Sequence, residues 1–183
     1  MKAITLFLGK SGAGKDYYLK KYLSEHKDTK AIISITTRPP RPNEKNGVDY
    51  RFVSEDTFWT YKLTGQLIEY REYQTEFGEW LYATPSFVNN IYNDYVGVVD
   101  INGAIDIIKY YRNCKNIVIH CYYIDTDDNI RIQRAIVRGG FNESEWNRRM
   151  ITDNNDFSKE RLDNLNNELK KYNHPQIITI HNN

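Results

Sequence analysis

Gly9-Lys10-Ser11-Gly12-Ala13-Gly14-Lys15 has the spacing GxxxxGK, directly after an apolar run and before a helical one. Such a segment is a phosphate cradle. Glycines let successive backbone N–H groups turn inward around phosphate oxygens, and the following helix adds the positive end of its dipole. The lysine reaches the β- and γ-phosphates of a nucleoside triphosphate. Gly9, Ser11, Gly12, Ala13, Gly14 and Lys15 are therefore candidate triphosphate ligands, with Lys15 also the candidate catalytic cation. Asp16 stands where a Ser or Thr usually follows the lysine and ligates Mg²⁺. A carboxylate is also a hard oxygen donor, but it brings negative charge close to a triphosphate. Tuned metal binding and disabled chemistry both stay open for Asp16; the retained Lys15 favours the first. A second cluster follows at Arg38 and Arg41, on a segment stiffened by Pro39, Pro40 and Pro42, with Tyr50 nearby. Guanidinium forks hold two phosphate oxygens at once, so this loop suits a dianionic phosphate. Taken alone, a solvated basic loop is the commoner explanation of such a segment.

The elements that must position these groups follow from periodicity. Ala3 to Leu8 predicts a buried parallel strand, Lys15 to His26 a helix, and Ala31 to Ile35 a second strand. Thr36 to Asn46, with its prolines, predicts an extended loop. From Asp49 to Tyr82, short strands at Tyr50–Val53 and Leu67–Tyr73 surround a helix at Glu55–Leu63, a small α+β insertion. A helical segment after Pro85 leads to a strand at Tyr95–Asp100, and a further helix to a strand at Ile117–Ile124. Helices fill Asp127 to Tyr172, broken at Gly139-Gly140 as in a hinged flap, and Gln176–Ile180 is the last strand. The expected fold class is α/β, of the P-loop NTPase type. A mostly parallel sheet is covered by helices on both faces, with ligands at the carboxyl ends of its strands. Asp100 lies at such an end.

Composition narrows the function classes. A chain of 183 residues is most simply one domain, long enough for a core without disulfide or metal staples. With 25 Lys+Arg against 24 Asp+Glu, no global field draws it to nucleic acid or to a membrane surface. Mean hydropathy of −0.70 and the lack of any apolar run near membrane-span length point to a soluble protein. The apolar start is followed at once by glycines, so it reads as a strand and not a leader. Cys114 and Cys121 have neither CxxC spacing nor a histidine pair in zinc register, and read as reduced thiols of a cytoplasmic protein.

The segment from Ser34 to Val53, SITTRPPRPNEKNGVDYRFV, resembles the nucleotide-monophosphate loop of guanylate kinases, S-x-T-T-R-x-P-R-x-G-E-x-x-G-x-D-Y-x-F-V. Asn43, in place of a glycine, is the clear departure. Gly65–Glu69 is similar to the family's G-x-F-L-E, and Tyr82-Ala83-Thr84-Pro85 to its Y-G-T-P. Val99–Gly103 is similar to D-I-D-x-Q-G, shortened by one residue and with Asn102 for the second Asp. Arg134, Arg138-Gly139 and Arg149 match the arginine spacing of the family's lid, and Gln176–Asn182 its last strand, leaving the final helix without a counterpart. The resemblance implies that Arg38, Arg41, Tyr50 and Tyr82 hold the phosphate of GMP, while Ser34, Glu69 and Thr84 face its base. It also implies that Asp100 organises Mg²⁺ water or substrate hydroxyls, and that Arg134, Arg138 and Arg149 converge on ATP and the transferred phosphoryl group. Arg131 and Arg148 adjoin these and are expected to be solvated. The implied cofactor is Mg²⁺, held by Asp16 and Asp100, with ATP as co-substrate. Nucleotides are the implied partners of a monomer or homodimer. The implied layout is a core over 1–33, 83–125 and 150–183, a monophosphate-binding insertion over 34–82 and a mobile lid over 126–149.

Three functions compete. The first is phosphorylation of GMP or dGMP. The second is a related kinase with another acceptor: ribose bisphosphate phosphokinases resemble guanylate kinases and share the GKD ending that Asp16 completes, but they need no base reader, and Glu69 favours a nucleotide. The third is an inactive binding module, a class that usually lacks the phosphate cradle and lid arginines retained here.

Overall fold

The computed structural model describes residues 1–86, 93–139 and 141–182. In chain order it contains β1 (Lys2–Leu8), α1 (Lys15–Glu25), β2 (Thr29–Ala31), β3 (Ile35–Thr36), β4 (Arg51–Phe52), α2 (Glu55–Leu63), β5 (Leu67–Thr75) and β6 (Gly78–Pro85). There follow β7 (Asp94–Val98), α3 (Ile101–Tyr110), β8 (Ile117–Asp125), α4 (Asp128–Val137), α5 (Glu143–Asp156), α6 (Lys159–Lys171) and β9 (Ile178–His181). The chain divides into two compact units, Met1–Lys30 with Asn93–Asn183, and Ala31–Tyr92.

The first unit is built on a five-stranded sheet in the order β2-β7-β1-β8-β9. β1 runs parallel to both β7 and β8, and β8 parallel to β9. Successive β1 side chains point to opposite faces, yet Ile4 through Leu8 are all buried. Both faces are therefore covered, which is why the strand reads as a continuous apolar run instead of an alternating one. On the face bearing Phe7, α1 lays Tyr18, Leu19, Tyr22 and Leu23 over a cluster of Phe7, Ala13, Val96 and Ile124. α3 packs against α6 through helix faces that bury Ile107 and Ile108 on one side, and Leu165 and Leu169 on the other. Cys121 is buried in β8, and loss of water there pushes its thiol up to about 12. It is an inert packing group.

The second unit is a four-stranded sheet in the order β4-β3-β6-β5. β3 is parallel to β4 and antiparallel to β6, which forms a hairpin with β5. One face packs on α2: Phe58 is wholly buried among Ile35, Leu81 and Ala83. α2 starts where Ser54 Oγ accepts the Thr57 N–H, satisfying one orphan donor of the first turn.

Local expectations change in three places. The strand expected over Ala31–Ile35 is two short ones, because β2 joins the five-stranded sheet and β3 the four-stranded one. β6 is an unforeseen strand whose outer end, Gly78-Glu79-Trp80, lacks an apolar alternation. The helical run after Asp127 is three helices, restarted by Asn142, whose side chain accepts the Glu145 N–H, and by Ser158. The helix expected after Pro85 falls on 87–92, outside the described residues, as does Gly140. No helix among the described residues is long and apolar enough to cross a membrane.

Candidate functional site

β1 ends at Leu8 and α1 begins at Lys15, so the loop between them wraps the first turn of a helix. Gly9 cannot carry a side chain: a Cβ there would lie 2.7 Å from the Ile124 carbonyl oxygen. Lys15 Nζ donates to the carbonyls of Gly9 at 2.7 Å and Lys10 at 3.1 Å, folded over its own loop. Desolvation in this position lowers its pKa, against the opposing pull of Asp16 and Asp153. The Ala13 carbonyl is held by three donors, Thr126 Oγ1 at 2.9 Å, Asn182 Nδ2 at 2.9 Å and Arg134 Nη1 at 3.2 Å. Three donors on one carbonyl fix the Ala13 peptide where the loop enters α1. Ser11 is differently engaged, with both its N–H and its hydroxyl donating to Asp153.

The arginines of α4 and α5 divide. Arg134 reaches the loop carbonyls, and Arg138, exposed at the end of α4, is close enough that its charge is felt at Lys15. Arg149 Nε donates to Glu145 Oε1 at 2.7 Å, and Arg148 takes Glu145 with two donors at 2.8 and 2.9 Å. Arg131, expected to be solvated, is instead 0% exposed, because Asp128 and Asp153 pair with it. Glu145 is almost buried, and its hydrogen bond from Arg148, joined by Arg149, holds its carboxyl down at about 2 against the cost of desolvation. A carboxylate whose folded value lies below its unfolded value of 4.5 contributes stability above that value and loses it as pH falls through the folded one. Unfolding free energy should therefore fall by about 2 kcal/mol more in the native protein than in Glu145→Gln between about pH 5 and pH 2, measured by urea titration. Identical slopes for the two proteins would contradict the assignment.

In the second unit Glu69, Tyr82 and Thr84 lie on the sheet face opposite Phe58. Thr36 pairs with both Phe52 and Tyr82, Tyr82 with Arg71, and Thr84 with Glu69. Thr84 Oγ1 donates to Glu69 Oε1 at 2.6 Å, and Arg71 Nη1 stands 3.3 Å from Glu69 Oε2. Arg38 is nearly buried: its guanidinium lies over the rings of Tyr50 and Phe52 and donates to Glu44 Oε1 at 2.9 Å. Glu44 also accepts the Arg41 N–H and stands 3.5 Å from Arg41 Nη1. Tyr50 and Tyr82 meet edge-on at 6.0 Å. Arg38, Arg41, Tyr50 and Tyr82 thus gather at one place, with Glu69 and Thr84 in the adjoining row and Ser34 directly before β3. Sequence reasoning missed Glu44, Arg71, Asp153 and the burial of Arg131. Only Glu44 carried a signal, its spacing from Arg38 and Arg41.

Asp16 is exposed in the first turn of α1, where its charge favours the helix dipole. Asp100 caps α3: its Oδ1 accepts the Gly103 N–H at 2.6 Å. Among the described residues, no group of three or more His, Cys, Asp and Glu is arranged to hold a metal. Mg²⁺ that arrives on a triphosphate keeps several waters and needs only one or two protein carboxylates, a demand that the exposed Asp16 can meet without such a group.

The family model described as Guanylate kinase matches residues 1–172. The chain is 39% identical over 82 residues to the guanylate kinase of Thermosynechococcus vestitus, which spans 45% of this chain and 41% of that protein. It is 36% identical over 109 residues to that of Thermotoga maritima, 57% of this chain and 51% of the relative, and 34% identical over 110 residues to that of Streptococcus pyogenes, covering 57% and 50%. The aligned stretches thus span about half the length of these curated relatives. The crystal structure of guanylate kinase from Anaplasma phagocytophilum superposes with a TM-score of 0.56 at 20% identity, over 99% of this chain and 77% of that one, which shows a shared fold. With the family match running from β1 through α6, the chain belongs to the guanylate kinase family.

Proposed function

We propose that this protein is a nucleoside monophosphate kinase that transfers the γ-phosphoryl group of ATP to GMP or dGMP. The observation that carries the reading is the second unit's sheet, where Glu69, accepting from Thr84, adjoins a cationic and aromatic clamp, Arg38 with Tyr50 and Tyr82. The clamp takes the acceptor's phosphate. Glu69 accepts from N1–H and the 2-amino group of guanine, a donor pair adenine lacks. In the first unit, the loop of Gly9 to Lys15 holds the triphosphate, with Lys15 leaving its own carbonyls for the β- and γ-oxygens. Arg134, Arg138 and Arg149 neutralise charge on the transferred group.

Asp16, exposed in the first turn of α1, would hold through water a Mg²⁺ arriving with ATP, which would offset the charge of the phosphates. Phosphoryl transfer needs alignment and charge stabilisation more than covalent help, so no general base is required.

The test is a coupled ADP-release assay with MgATP against GMP, dGMP, AMP, UMP, dTMP and ribose 1,5-bisphosphate. Release with GMP and dGMP alone is the expected result. Release only with the sugar bisphosphate would transfer the protein to the other acceptor class, and silence throughout would overturn the kinase reading.

A further inference from the structure

Arg131 heads the wholly buried side chains of the described residues by volume. Its surroundings explain how a charge survives there. Asp153 Oδ2 accepts both the Ser11 N–H at 2.8 Å and Arg131 Nη2 at 2.6 Å, while Arg131 Nε donates to the Ser11 carbonyl at 2.7 Å. The three residues close a ring that grips both backbone polar groups of one loop residue. Arg131 Nη1 pairs with Asp128 Oδ1 at 2.5 Å, and the guanidinium lies over Trp146 at 5.8 Å. The next residue, Gly12, has φ +77, and a Cβ there would meet the Arg131 carbonyl oxygen at 2.9 Å. The loop therefore rests directly on the backbone of α4.

We propose that Arg131 and Asp153 are positioning residues for the phosphate-binding loop, fixing its curvature and tying it to the two helices that carry Arg134 and Arg149. The inference rests on the triphosphate reading of that loop and not on the identity of the acceptor. Stability alone is a poor reason for the arrangement, since buried ion pairs are commonly replaceable by apolar residues of similar volume at little cost. Electrostatics alone is a worse one. Asp153 sets a negative charge near enough to Lys15 to be felt there against the larger effect of desolvation, in the neighbourhood a triphosphate must enter. A carboxylate in that place impedes an anion through its charge, so it helps only through the geometry it imposes.

This conflict of signs makes the proposal testable. Dissociation constants for MgATP, measured by calorimetry, are compared with thermal midpoints and with GMP binding as the control. Asp153→Ala should weaken MgATP about tenfold, on the scale of one charge-assisted hydrogen bond, although it removes a negative charge. Asp153→Asn, whose amide oxygen still accepts the Ser11 N–H, should recover most of the loss. Arg131→Met should weaken MgATP at least as much, Arg131→Lys less, and the double variant should be no worse than the poorer single one, since either change opens the ring. GMP affinity should stay within about twofold throughout. Tighter MgATP binding in Asp153→Ala would show a purely electrostatic effect and overturn the proposal, as would lowered thermal midpoints with unaltered MgATP affinity. Absence of MgATP binding in the unchanged protein would overturn the triphosphate reading, and the proposal with it.

Discussion

Lys15→Met should lower turnover by at least about a thousandfold, the scale set by removing a preorganised cation from a phosphoryl-transfer site, while the folded protein loses no stability. The second half of the expectation is the more informative. Lys15 is desolvated on its own loop, and its pKa lies below the ordinary lysine value. A lysine depressed in this way contributes stability only above its unfolded value and costs stability at neutral pH, where the unfolded chain is protonated. Its bonds to the Gly9 and Lys10 carbonyls offset part of that cost. Replacing it by a neutral side chain of similar length should leave the thermal midpoint equal or higher, the mark of a group kept for function at the expense of stability. Steady-state kinetics alongside calorimetric unfolding tests both halves. Undiminished turnover would remove Lys15 from the mechanism, and a large fall in the midpoint would show that it holds the loop together.

How much of this could be read from the residues depends on how locally each feature is determined. The turn from β1 into α1 was legible because GxxxxGK encodes a backbone shape within a few residues, and α2 because Ser54 and an uninterrupted helical run bound it. β6 was not legible, since its register is set by pairing with β5 and its exposed end has no apolar alternation. The chain's passage from one sheet to the other after Ala31 was hidden for a similar reason: Ile32 and Ile35 are apolar enough to extend a strand, but hydrogen bonding assigns β2 and β3 to different sheets. Within the candidate site, Arg38 and Glu44 lie six positions apart, and their pairing was within reach of spacing. The ring of Ser11, Arg131 and Asp153 was not. It closes over separations of 120 and 22 positions, and a sequence shows an arginine on a polar helix without showing that its face is buried.

Glu69→Ala should reduce kcat/KM for GMP by about a hundredfold or more while changing the KM for MgATP by less than about threefold. The carboxylate is already aimed: Thr84 Oγ1 donates to one oxygen and Arg71 approaches the other, so it loses little rotamer freedom when a base arrives. Each carboxylate oxygen accepts more than one hydrogen bond, so both can still receive the guanine donors. Removing Glu69 would leave the N1–H and 2-amino group of a bound guanine without these acceptors, and a polar group stripped of water without a partner costs far more than the same contact gains in the open. Inosine monophosphate, which retains N1–H but lacks the 2-amino group, sharpens the test. The unchanged protein should prefer GMP to it by about tenfold, and the variant should hardly distinguish the two. Glu69→Gln should suffer nearly as much as Glu69→Ala, because its amide N–H₂ faces a donor of the base; recovery by glutamine would mean that shape and not charge reads the nucleotide. Equal losses for GMP and MgATP would mean that Glu69 supports the unit as a whole, and the base-reading role would have to pass to another residue of the same sheet face.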